Sequence, residues 1–339
     1  MRTLGLHLFA SVKGGVGKST LTVLVAKLLT DQGRSPVVLD ADLLGSSMAD
    51  GLQLCAPVVP EREGSPDYFA APTEQWHGLA ETRSLRDSRK HWWTERASEA
   101  EAETRVPAPP YLNDIVLFPG ARSNQEYRVD AMLWRSTHDD GVRYLPSSPL
   151  RDDALQIAPY LTGNHPHFAW ARRLAWILEA LVTQNPSLTD IVIDLPPGTW
   201  GMAHETLVLA GSMTAPLPRG YPQWHDELHW TIASTIVTTA DRNDRLLAME
   251  YWLDARRKIP MLGILVNRSL ESQVELRASI REDLPGPLRG LGIEDEVRFV
   301  PQLGDSLGRV FVDGDLRIDS SHRDVAEMLR VVHRGESHG

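Results

Sequence analysis

The chain has 339 residues, of which 42% are apolar, with a single cysteine and a formal net charge of −10. That much apolar side chain can bury a sizeable core, whereas the net acidity excludes a protein that coats nucleic acid by bulk electrostatics. One cysteine, Cys55, leaves no intrachain disulfide and no Cys-x-x-Cys metal site, which fits a reducing, cytoplasmic setting.

The opening MRTLGLHLFASVKGG reads as a core strand rather than a signal peptide, because its apolar run from Leu4 to Ala10 leads straight into glycines. Leu21, Leu24, Val25, Leu28 and Leu29 then recur at helical spacing. Next comes VVLDAD, Val37 to Asp42, an apolar strand ending in two acids. Further short apolar runs predict strands at 115–118 (IVLF), 191–194 (IVID), 234–239 (STIVTT), 261–266 (MLGILV) and 297–300 (VRFV), mostly separated by helical patterns. The expected fold class is α/β: a mostly parallel central sheet with helices on both faces and ligands at the carboxyl ends of the strands.

A single domain over 1–339 is expected, with two interruptions. Residues 51–110 break the rhythm with prolines, mixed charge and Trp76, Trp92 and Trp93, and read as an insertion. It is either a solvated helix with flexible flanks or a docking element, since tryptophans are costly to leave in water. A smaller insertion is expected over 202–230, around APLPRGYPQWHDELHW. No run approaches the roughly 18 apolar residues of a membrane span.

The stretch VKGGVGKST, residues 12–20, ends on the Gly-Lys-Ser of a phosphate loop, in which backbone N–H groups wrap phosphates and a lysine pairs with their oxygens. The general pattern opens on a glycine, but here Val12 stands in that place and a second lysine, Lys13, follows it. This K-G-G-x-G-K-[ST] wording resembles the deviant Walker ATPases of the MinD, ParA and Mrp type, in the SIMIBI class of P-loop proteins. The resemblance implies a P-loop ATPase that binds ATP and Mg²⁺ and forms a homodimer sandwiching two nucleotides. Lys13 then reaches across to the neighbour's phosphates while Lys18 serves its own, so that hydrolysis and dimerisation are coupled.

The same resemblance assigns the rest of the site. Gly14, Gly15, Val16, Gly17, Lys18, Ser19 and Thr20 cradle the phosphates, with Ser19 on Mg²⁺ and Thr20 on the α-phosphate. In DADLLGSS, Asp42 positions or activates the attacking water and Asp40 supports the site near Mg²⁺. In DIVIDLPPGTW, Asp194 holds the Mg²⁺ shell and Gly198 is free to move toward the γ-phosphate. Asn267 corresponds to the family's adenine-reading asparagine and Pro301 to the residue lining the base. The likeness covers roughly residues 1–50, 111–120 and 185–330.

The partner is less legible. The Mrp-type cysteine pair is missing, which argues against an iron–sulfur carrier of the usual kind. His225 and His229 at i, i+4 and the pair His165 and His167 lack a third ligand in register. The C-terminal pattern of Val325, Met328, Leu329 and Val332 reads as a core helix, without the aromatic and lysine-rich faces of a peripheral membrane anchor. Arg256, Arg257, Lys258, Arg281 and Arg289 offer a local basic patch for DNA, against the net charge. Two readings stand: an ATP-hydrolysing dimer switch that controls an unidentified protein partner, or a nucleotide-dependent binding module, on DNA or a scaffold, with little turnover.

Overall fold

The computed structural model describes residues 2–45, 48–57, 69–72, 111–117, 129–137, 141–149, 151–162, 170–213, 215, 217–219, 221–222, 228–256, 259, 262–269, 272–284, 286, 289–290, 292, 294 and 297–301. The three tryptophans of the expected 51–110 insertion, the histidines at 165, 167 and 225, the basic pair at 257–258 and the C-terminal helical pattern lie outside these residues.

Ten described strands form one sheet: β1 (Arg2–Ser11), β2 (Pro36–Asp40), β3 (Leu54–Pro57), β4 (Phe69–Pro72), β5 (Trp134–Ser136), β6 (Arg143–Leu145), β7 (Asp190–Pro197), β8 (Leu228–Thr239), β9 (Leu262–Ser269) and β10 (Val297–Pro301). Their order is β10-β9-β8-β1-β7-β2-β6-β5-β3-β4. From β10 to β6 every neighbouring pair is parallel, and β5, β3 and β4 extend the sheet antiparallel. The expected α/β architecture is present, with β1 interior between β7 and β8.

Interior parallel strands are buried on both faces, which is why β1 and β7 read as nearly continuous apolar runs. Alternation still sorts their side chains. Leu4, Leu6, Leu8 and Ala10 pack with Ile191 and Ile193 in one layer, while Phe9 and Val192 join the other. The second layer is covered by α1 (Lys18–Asp31) through Leu21, Leu24 and Val25. The first is covered by α5 (Trp170–Gln184), α6 (Met202–Ser212), α7 (Arg242–Ala255) and α8 (Gln273–Asp283), whose Trp170, Leu174, Leu207, Trp252 and Leu276 are buried there. Shorter helices are α2 (Met48–Gly51) and α3 (Leu112–Leu117), and α4 (Arg151–Thr162) carries Pro159.

One expected strand is a helix. Residues 115–117 of IVLF fall in α3, where Leu112, Ile115 and Val116 lie at i, i+3, i+4 and are all buried, and Phe118 lies outside the described residues. A short apolar run satisfies either period, and here the helical face wins. Within 202–230, residues 202–212 form α6 and Leu228 opens β8.

At the amino end of the sheet, Gly5 lies opposite Asp190 in the β1–β7 register. The space that a side chain at Gly5 would take is filled by Asp190, whose Oδ1 lies 2.2 Å from an ideal Cβ there, and by His7 Nε2 at 2.8 Å. Buried His7 Nε2 and Asp190 Oδ1 are 2.9 Å apart, while Arg34 Nε (2.7 Å) and Thr189 Oγ1 (2.7 Å) serve Oδ2. Burial pushes the Asp190 carboxyl upward, but its hydrogen bond and ion pair with His7, aided by Thr189 and Arg34, outweigh that and lower it.

Candidate functional site

At the opposite, carboxyl edge, β1 runs into the glycine loop and the loop into α1. Gly15 (φ 78°) and Gly17 (φ 86°) adopt the left-handed conformation that side chains disfavour. Nothing lies within 4 Å of a Cβ added at Gly14 or Gly15, so the backbone there faces open space. Gly17 is the N-cap of α1 and supplies no side chain, so the first-turn N–H groups are left for an anion.

Lys18 points inward and donates through Nζ to Asp194 Oδ1 on β7. Both side chains are buried. Thr22, one turn on, donates to Lys18 O at 3.1 Å and reaches Asp194 Oδ1 at 3.4 Å. Asp40, buried at the end of β2, is directly opposite Asp194 in the sheet register. Its Oδ1 accepts from Asp42 N at 3.1 Å, and Ser147 Oγ donates to its carbonyl oxygen. Burial, and then the Asp194 charge, push the Asp42 carboxyl above the usual range, partly offset by Lys18 and the N–H groups of Gly45 and Leu44. The structure therefore gathers Lys18, Asp40, Asp42 and Asp194 at one place, with Ser19 and Thr20 half-buried in the first turn of α1.

The remaining expected residues surround this cluster in different ways. Asn267, near the end of β9, donates through Nδ2 to Val16 O at 2.8 Å and so holds the middle of the loop. Pro301 ends β10, paired with Ser269. Gly198, at φ 118°, donates its N–H to Ser11 O at 2.8 Å and ties the segment after β7 to the base of the loop. Lys13 stands apart from Lys18: its Nζ bonds Asp244 Oδ1 at 3.0 Å, with the lysine side chain 64% exposed. Asp244 and Thr22 are the residues that the motif did not announce. Thr22 carries a signal in its i+4 spacing from Lys18, and Asp244 in following the acid Asp241 at the carboxyl end of β8.

Among the described residues, no three His, Cys, Asp or Glu side chains gather into a cluster that would hold a metal unaided. Mg²⁺ commonly takes one or two carboxylates together with phosphate oxygens, and Asp40 and Asp194, opposite one another in the β2–β7 register, fit that partial shell. The basic patch is partly spent within the chain. Arg281 pairs with Glu294 at 2.6 Å, Arg289 donates to the Leu284 and Glu282 carbonyls, and Arg256 lies 4.8 Å over the Trp252 ring. No described helix is long and apolar enough to cross a membrane.

Comparison with known proteins gives three kinds of likeness. Residues 6–81 match the family model described as ParA, NUBPL iron-transfer P-loop NTPase. A cytosolic Fe–S cluster assembly factor, cfd1 of Emericella nidulans, is 27% identical over 270 residues, covering 77% of this chain and 66% of that one. The chain thus spans just under two thirds of that relative's length. Among solved structures, a plasmid partition protein (BB_S35) from Borrelia burgdorferi B31 bound to AMPPNP superposes with a TM-score of 0.52 at 13% identity, covering 98% of each chain. The septum site-determining protein MinD of Pyrococcus horikoshii OT3, complexed with Mg-ADP, gives 0.52 at 14% identity over 97% of this chain and 98% of that one.

Proposed function

From the premise that this chain is a MinD/ParA-like P-loop NTPase, we propose that it binds ATP with Mg²⁺, pairs with a second copy in that state, and hydrolyses ATP slowly to control a protein partner. The observation that carries the proposal is the convergence of Lys18, Asp40, Asp42 and Asp194 beneath a loop whose backbone faces open space. The nucleotide-bound relatives support ATP and Mg²⁺ as the ligands.

In this reading the loop N–H groups and the start of α1 receive the phosphates, and Lys18 turns from Asp194 toward their oxygens. Ser19, Asp40 and Asp194 are the residues that would hold Mg²⁺, which would neutralise charge on the phosphate oxygens. Asp42 orients the attacking water and takes its proton, for which a carboxyl raised by burial is suited. Gly198 supplies an N–H for the terminal phosphate once released from Ser11 O. Asn267 fixes the loop and, with Pro301, lines the base. Lys13 acts on the phosphates of the second subunit.

The test is the molar mass of the Asp42→Ala protein by light scattering, with Mg²⁺–ATP and with Mg²⁺–ADP. A dimer with ATP alone is expected; a monomer in both overturns the dimer switch.

The likeness to a cluster assembly factor favours a second reading, in which the switch serves iron–sulfur assembly. With one cysteine per chain, a cluster would need ligands from both subunits or from a partner. Anaerobic reconstitution with iron and sulfide tests it: a thiolate-to-iron absorption band that Cys55→Ser abolishes supports cluster carriage, and its absence leaves the partner switch.

A further inference from the structure

The peptide that joins Leu43 to Leu44 has both of its polar groups in use. On one side the Leu44 N–H, with that of Gly45, donates to the Asp42 carboxylate. On the other, the Leu43 carbonyl accepts from Asn113 Nδ2 at 3.3 Å. A trans peptide is planar, with its C=O and N–H pointing opposite ways, so whatever fixes the carbonyl also fixes where the N–H aims. Asn113 is fully buried in α3, and its Oδ1 accepts in turn from Ser148 N at 2.8 Å. Since a backbone N–H can only donate and a carbonyl can only accept, the amide has one orientation here. α3 is itself fastened to the same strip of chain after β6, through Leu112 N to Pro146 O at 2.9 Å, and Ser147, between Pro146 and Ser148, donates to the Asp40 carbonyl. The loop that carries Asp42 is thus braced on both sides of the acid, at the carbonyls of Asp40 and Leu43.

We propose that Asn113 is a positioning residue for hydrolysis: its amide is the middle link of a hydrogen-bond chain, from Ser148 N–H through Asn113 and the Leu43–Leu44 peptide to Asp42, that holds the carboxylate where it orients the attacking water. The proposal rests on the reading of Asp42 as the group that orients that water. Every link donates in the same sense and the chain ends on a negative charge, the arrangement in which successive hydrogen bonds polarise and strengthen one another. Such bracing matters to rate, because a misplacement of about 1 Å can cost about 10²-fold. The chain ends on the acid without passing through the glycine loop or α1, so it bears on the chemical step and leaves the phosphates to Lys18 and the loop. It joins residues 70 positions apart, which is why no local motif announces it.

The test compares steady-state turnover of Mg²⁺–ATP in the parent, Asn113→Ala, Asp42→Asn and the double variant. Asn113→Ala should lower kcat by about 10–100-fold with KM unchanged, and the double variant should be no slower than Asp42→Asn. A side chain that served folding alone would leave kcat per folded molecule at the parent value, and its effect would not vanish once Asp42 is changed. Amide exchange over residues 40–45, followed by mass spectrometry without nucleotide, should be faster in Asn113→Ala. Parent kcat, a rise in KM alone, losses that multiply in the double variant, or unchanged exchange each overturn the proposal. Asn113→Leu, which keeps the branched shape, gives the same readings if the alanine variant does not fold. If the parent does not turn over, or Asp42→Asn matches it, the reading of Asp42 falls and the positioning role with it, while faster exchange still shows that Asn113 holds the loop.

Discussion

Lys18 Nζ donates to Asp194 Oδ1 beneath the glycine loop, and neither side chain is more than 8% exposed. A buried pair of this kind is expensive to break on one side only, because the surviving charge has no water to turn to. Asp194→Ala should destabilise the protein by about 3–5 kcal/mol, measured by urea unfolding. Replacing both partners with apolar residues of similar size, Lys18→Met with Asp194→Leu, should recover most of that loss while abolishing nucleotide binding. If the double variant is as unstable as Asp194→Ala, the cost lies in packing rather than in the orphaned charge.

Asp42 predicts a pH profile. Burial raises its carboxyl above the ordinary 3.8, so the folded state holds a proton that the unfolded chain has released. Stability from this group is present at low pH and declines as pH rises through the window between the unfolded and folded values. Turnover runs the other way, since the proposed role needs the carboxylate. The acid limb of the ATPase rate should lie above 3.8, and Asp42→Asn should lower the rate by about 10²–10⁴-fold at neutral pH. A variant retaining wild-type turnover would assign the water to another group.

Asn267 is tied to the loop through Val16 O at 2.8 Å, with Val16 itself buried. Asn267→Ala leaves that carbonyl without its donor, a loss of about 1–3 kcal/mol. If the loop's shape is what nucleotide binds, calorimetric affinity for Mg²⁺–ATP should fall by about tenfold or more. Asn267→Asp should be worse, because it sets an acceptor against an acceptor.

The amino end of the sheet gives a prediction independent of nucleotide. A Cβ at position 5 would lie 2.2 Å from Asp190 Oδ1, so Gly5→Ala should cost about 1–3 kcal/mol of folding stability. The Asp190 carboxyl is lowered overall, so its stabilisation is present above the ordinary 3.8 and is lost as pH falls through the lower folded value. Asp190→Asn should therefore be less stable at neutral pH and show a flatter acid limb in thermal unfolding. Equal acid slopes in the two proteins would refute the His7–Asp190 account.

The sequence makes the sheet's interior legible because buried parallel strands leave nearly continuous apolar runs: Leu4 to Ala10, Ile191 to Ile193 and Leu262 to Val266 all lie within observed strands. The short strands where the sheet turns antiparallel left no such trace. β6 is only Arg-Tyr-Leu and β5 only Trp-Arg-Ser, too short for a period to emerge. The strand expected at IVLF failed for the same reason, since four apolar residues fit a helix face equally well. In the site, the glycine loop and the acids at the carboxyl ends of β2 and β7 were readable because each sits in a short local motif. The Lys13–Asp244 contact joins residues 231 positions apart, and only the adjacency of β1 and β8 brings them together.

The His7–Asp190 pair sits at the far edge of the sheet from the glycine loop, yet it bears on where that loop stands. Sliding β1 by one residue along β7 would set Leu4 or Leu6 against Asp190 in place of Gly5 and swing the leucines to the wrong layer. The side-chain-free notch at Gly5 and the imidazole two residues on admit that carboxylate in one alignment only. The pair is thus a length gauge for the strand: by fixing its lower end, it sets how far the upper end projects, and hence how high the two lysines are presented.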